Sequence, residues 1–257
     1  MEKDAFSDGG VAGLLADRFI TCLVDCFDSS DLVRKYGVPG SPTMAILDPK
    51  GERIGIDPSG LPAAEFREDI ETILGDYARL VGLREKASSE AQPALQRELG
   101  MAYHRLAMID PGIKAFDRAA ELFEEQGDAN SALEILGWIA ELKAQKGGPP
   151  SEIDAIAGRL EAADPDGKLG FKADGRYVRA IADLVAGRID EADKKLAEVS
   201  EGHRIEEAAF LRIKIVIYWK KNAKAAAAAC DDFLRRFPES GRRREVERIL
   251  RAAAGDH

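Results

Sequence analysis

Cysteine is scarce in this chain, with three in 257 residues. That excludes a disulfide-stapled secreted scaffold and leaves too few thiols for a structural zinc site. Histidine is equally scarce. His104, His203 and His257 lie far apart and lack the His-x-x-x-His spacing of a helical metal site. No stretch approaches the ~18 consecutive apolar residues of a membrane helix. The opening residues, Met1 to Asp8, are acidic and polar, where a signal peptide begins basic and then turns apolar. A phosphate-cradling Gly-rich loop and a Gly-x-Ser-x-Gly elbow are both missing. Asp25, Asp28 and Asp31 form an acidic group without the glycine and distal glutamate of a calcium loop, so helix capping accounts for them better. No cofactor and no metal are expected. As written, the chain reads as cytoplasmic.

Apolar residues make up 45% of the chain and charged residues 32%, the balance of a folded protein with a real core. The formal charge of -9 excludes a nucleic-acid clamp or a binder of anionic membranes. The two halves differ. Residues 1–82 mix β-rich runs with turns, whereas 88–257 read as helix after helix, with Ser88-Ser89-Glu90 as a helix start after the break. In the first half, Val11 to Arg18 is a short amphipathic helix. Phe19 to Val24 is an apolar run suited to a strand buried on both faces. A helix through Leu32 to Tyr36 is closed by Gly37. Met44 to Leu47 and Arg53 to Ile56 form a hairpin around the turn Asp48-Pro-Lys-Gly51. Leu61 to Leu80 is a long helix with Phe66, Ile70, Ile73, Leu74 and Tyr77 at helical spacing.

This order and its punctuation resemble the thioredoxin fold. The residues that carry the resemblance are Val24-Asp25, Asp31-Leu-Val-Arg-Lys-Tyr-Gly-Val38, Gly40-Ser-Pro-Thr43 and Ile46-Leu-Asp-Pro-Lys-Gly-Glu52. The likeness covers about a third of the chain and implies an α/β thioredoxin-like N-terminal domain over 1–82. In that family the proline matching Pro42 is cis, and the backbone before it pairs with an extended substrate segment. The resemblance therefore assigns substrate binding to Ser41, Pro42 and Thr43.

The family's Cys-x-x-Cys dithiol is missing, and so is the strand that precedes it. In this fold that strand lies at the middle of the sheet, between the runs 19–24 and 44–47. Losing it leaves two rows of backbone donors and acceptors unmatched, each unmet buried group costing ~1–3 kcal/mol. Either the natural start lies upstream, or the chain is a remnant whose strands re-pair. Cys22 and Cys26 are the only thiols near the site. On one strand they would stand roughly 13 Å apart at ~3.3 Å per residue, beyond the ~7 Å reach of a disulfide. They are redox thiols only if the chain turns sharply after Asp25. Otherwise Cys22 is a small buried hydrophobe and Cys26 a strand-end residue.

In the second half, Ala192 and Ala226 are 34 residues apart, the tetratricopeptide period. Tyr177 to Ala192 and Phe210 to Ala226 each have a Gly- or Asn-marked turn and a small residue inside the second helix, and the second segment ends in Phe233, Phe237 and the terminal proline Pro238. This resembles a tetratricopeptide repeat array, with a more degenerate unit beginning at Leu99-Gly100. Gly147-Gly-Pro-Pro150 and Asp164-Pro-Asp-Gly167 interrupt the array, and Arg242 to Ala254 resembles a covering helix. Trp138, Trp219 and Cys230 read as core. The seven arginines from Arg235 to Arg251, interleaved with three glutamates, read as a solvated helix face.

Two functions follow. As written, the chain is an interaction module of a thiol-redox system, binding a protein or extended peptide through the Pro42 loop and the helical repeats, without catalysis. With a Cys-x-x-Cys upstream of Met1, it would be a thiol-disulfide oxidoreductase acting through a mixed disulfide, and an upstream leader would then place it outside the cytoplasm.

Overall fold

The computed structural model describes residues 7–38, 43–57 and 61–254. It divides into two compact units, Met1–Ala115 and Phe116–His257. Ser41 and Pro42, and with them the geometry of the peptide bond between them, lie outside the described residues.

The first unit opens with helix α1, Gly9–Arg18. The Asp8 carboxylate caps it, accepting from the N–H groups of Gly10 and Val11 at 2.9 and 3.0 Å. Helix α2, Ser30–Tyr36, ends where Gly37 takes the left-handed conformation at φ 58°. Strands β1, Met44–Leu47, and β2, Arg53–Asp57, form an antiparallel pair with Met44 opposite Asp57 and an irregularity between Ile46 and Leu47. The turn joining them is organised by Asp48. Its carboxylate accepts from Lys50 N at 2.8 Å, Glu52 N at 2.9 Å and the Tyr77 hydroxyl at 3.0 Å.

Helix α3 runs Ala63–Ser89. Its first half places Phe66 and Ile70 over the hairpin, in a core completed by Val11, Leu15, Ile46 and Ile54. Gly55 permits that approach, because a Cβ there would lie 2.8 Å from the Ile73 side chain. The second half of α3 continues the apolar spacing through Leu80 and Leu83. These pack with Leu99, Ala102 and Tyr103 of helix α4, Pro93–Arg105. The break read near Gly82 to Ser89 therefore falls inside a helix. The Ser88 and Ser89 hydroxyls bond back to the carbonyls of Glu85 and Lys86 rather than opening a new helix.

One expected element is absent. Residues 19–25 belong to no strand, and the sheet of the described residues has two strands only. A strand needs a neighbour to satisfy its N–H and C=O groups, and among the described residues this run has no strand beside it.

Helix α5, Ile109–Glu125, contains the division between the units. The second unit continues with α6, Ala129–Gln145, α7, Pro150–Ala163, α8, Phe171–Val185, and α9, Ile189–Ala197. Helix α10, Ile205–Lys214, passes into a π-helical turn over Ile215–Trp219. Helices α11, Ala223–Arg236, and α12, Arg243–Ala254, close the order. From α6 to α12 each helix packs against the next in the chain. Ala192 on α9 and Ala226 on α11, the pair that carries the 34-residue period, are both fully buried. Gly147-Gly-Pro-Pro150 forms the turn that starts α7 at Pro150, with Pro149 in the N-cap position. Phe210, Ile213, Cys230, Phe233, Val246 and Ile249 form one core across α10, α11 and α12.

The candidate interaction surface

Asp25 sets the local geometry after α1, its carboxylate accepting from Phe27 N at 2.8 Å in a side-chain-closed turn. On either side of that turn the apolar residues face solvent. Ile20 is 102% exposed, Leu23 100% and Phe27 96%, with Val24 at 41%. The reading that buried 19–24 inside a sheet is thereby corrected. The run has the composition of a buried strand and the environment of a surface loop. Helix α2, which follows, buries none of its residues fully, and its Leu32 is also 41% exposed.

Cys22 is exposed and Cys26 half-buried, and both are free thiols. The place of Cys22 as a small buried hydrophobe is overturned for the same reason: no second layer covers it. Its thiol lies 3.8 Å from the neighbouring Leu23 carbonyl. Thr43, half-buried, sits immediately before β1. It is the one member of the Ser41-Pro42-Thr43 loop within the described residues. Beyond it, among the described residues, each of the two strands keeps one edge without a strand partner. On β1 that edge is apolar and uncharged, Met-Ala-Ile-Leu, whereas β2 carries Arg53 and Asp57.

The second unit holds a buried polar network that the sequence did not signal. Asp174, 3% exposed, accepts from His203 N at 2.8 Å and Arg204 N at 3.0 Å, and its other oxygen lies 2.7 Å from His203 Nδ1. It thus caps the entry to α10 from a helix 29 residues earlier in the chain. Arg204, also 3% exposed, lies over Trp138 at 3.6 Å and donates to the Glu134 carbonyl at 3.2 Å. Its Nη1 stands 3.6 Å from Glu141 and 3.8 Å from Glu207, within ion-pair reach but without a hydrogen bond. Burial pushes the Glu207 carboxyl up, against the pull of Arg204. Burial, with the Glu141 charge added, pushes the Tyr177 hydroxyl well above its usual range. The network ties α6, α8 and α10 together. Trp138, stacked on Phe116 at 6.4 Å, belongs to it. Trp219 does not lie in the core as expected. It is 52% exposed beside Tyr218 at 60%, because the π-helical turn shifts both off the buried face.

Among the described residues no group of His, Cys, Asp and Glu side chains is placed to hold a metal ion. No helix among them is long and apolar enough to cross a membrane. No family model and no curated protein matches the chain.

Proposed function

We propose that this chain is an interaction protein. Its first unit, an incomplete thioredoxin-like module of a thiol-redox system, holds an extended polypeptide segment, and its second unit is a tetratricopeptide-like array that presents a further surface to a protein partner. The observation that carries this reading is the solvent-facing run Ile20, Leu23 and Phe27 in a unit that also contains an unpaired, uncharged strand edge. Large apolar side chains left in solvent close together along the chain mark interaction sites. An open edge adds backbone hydrogen bonds to any extended segment laid along it. The element order of helix, apolar run, helix, hairpin and long helix supports the thioredoxin-like reading, and the helical hairpins with Ala192 and Ala226 buried support the repeat reading. With Cys22 and Cys26 in an irregular segment, no dithiol chemistry is assigned to the chain as written.

The test uses a labelled, reduced and carboxymethylated polypeptide that cannot refold, titrated with the full chain and followed by fluorescence anisotropy. Binding is expected, and the double variant Ile20→Lys, Leu23→Lys should weaken it at least about 10-fold, since two apolar anchors are removed. No binding, or binding unchanged in the variant, overturns the reading.

A further inference from the structure

The unpaired run and the unpaired edge belong to the same chain, so each copy carries both halves of a missing pairing. We propose that the occupant of this surface is a second copy of the chain, with residues 19–25 of each copy adding as a strand along the β1 edge of the other. The inference rests on the docking role given to the run above and names its partner.

Composition favours this pairing. Phe19-Ile-Thr-Cys-Leu-Val24 contains no charge, glycine or proline and consists mainly of β-branched, aromatic and other apolar residues, the types that fit a pleated surface. Natural edge strands are guarded by lysine, proline or inward charge. Residues 19–24 and β1 have none of these, whereas β2 carries Arg53 and Asp57. The β1 edge is therefore the receptive one.

Area points the same way. At their observed exposures, Ile20, Leu23 and Val24 of the run and Phe27 just beyond it present roughly 600–700 Å² of surface per copy, backbone included, against the ~800 Å² per partner of a standard interface. The arrangement is also self-limiting. Run on edge and edge on run is an isologous two-fold contact, which closes at the dimer once both β1 edges are filled.

Sedimentation velocity under reducing conditions, which removes any dimer linked through the exposed Cys22, tests the proposal over about 1 to about 100 µM protein. The full chain is expected to shift from monomer to dimer across that range. The variant Ile20→Lys, Leu23→Lys should weaken dimerisation about 100-fold with an unchanged circular dichroism spectrum, because both side chains are fully exposed in the monomer. A synthetic peptide of residues 18–26, with serine for both cysteines, should compete and return the full chain to monomer. A full chain that stays monomeric throughout, or a dimer indifferent to the variant and the peptide, overturns the proposal. If the monomer still captures the unfolded polypeptide through Ile20 and Leu23, only this inference falls. If it captures nothing, the functional reading falls as well.

Discussion

Arg204 shows how much a single side chain settles in the second unit. Its guanidinium lies against Trp138 and balances two carboxylates, Glu141 and Glu207, while keeping one nitrogen without a hydrogen bond. Breaking a buried ion pair from one side leaves the other charge uncompensated, which costs more than the pair contributes. Arg204→Met should therefore destabilise the protein by about 3 kcal/mol in urea denaturation. Adding Glu207→Gln should recover part of the loss, as expected for coupled neighbours. If the single change costs nothing, the network does not hold α10 in place. None of this was legible in the sequence, because Asp174, His203 and Arg204 look like ordinary polar residues until α8 and the entry to α10 are folded together. Cys230 was legible. A cysteine in an alanine run packs as a small apolar residue, and burial pushes its thiol up to about 11.

At the scale of elements, two turns between helices 34 residues apart share a backbone conformation. Gly187, between α8 and α9, has φ 76°, and Lys221, at the same place 34 residues later between the π-helical turn and α11, has φ 50°. Glycine adopts this left-handed conformation freely, whereas a lysine pays steric strain of ~1–2 kcal/mol. Lys221→Gly should accordingly raise stability by about 0.5–1 kcal/mol, after the greater backbone entropy of glycine in the unfolded chain is subtracted. Thermal melts of the two proteins check this. A drop in melting temperature would mean that a Lys221 contact outweighs the strain. That Ala192 and Ala226 are small residues at a 34-residue spacing was readable in the sequence. The shared turn conformation was not, since lysine gives no hint of a positive φ. The run 19–24 failed in the opposite sense. Its strand propensity is genuine, but a strand is a relation between two segments, and the described chain supplies only one of them.

For the whole molecule, the net charge of -9 conceals several carboxylates that are ionised for structural reasons. Burial pushes the Asp183 carboxyl up, but hydrogen bonds from Lys195 and Arg188 outweigh it and hold the group below its usual value. Asp193 is held low in the same way by Lys220 and Arg212, and Asp48 by the backbone N–H groups of its turn and by Tyr77. For acids whose folded pKa is depressed, the stabilisation is fully present above the unfolded value of about 4 and is lost as pH falls through the folded values below it. The melting temperature should therefore be flat near neutrality and fall steeply below about pH 4. Asp183→Asn should cost about 1.5–3 kcal/mol at pH 7 and make the acid limb shallower. An acid limb of unchanged slope would show that Asp183 is not among the groups that set it.

The sequence by itself determined the local elements. Apolar spacing placed α1, α3 and the later helices, Asp48-Pro-Lys-Gly51 placed the hairpin turn, and Gly37 ended α2. Each of these is decided by residues a few positions apart, where propensity and backbone geometry dominate. Tertiary structure alone decided which apolar groups are covered. It carried α3 through the break read at Gly82, left Ile20, Leu23 and Phe27 in solvent, turned Trp219 outward and buried Asp174 beneath His203. The physical reason is that burial depends on what stands opposite a residue, and no spacing within a segment reports whether the facing layer is there.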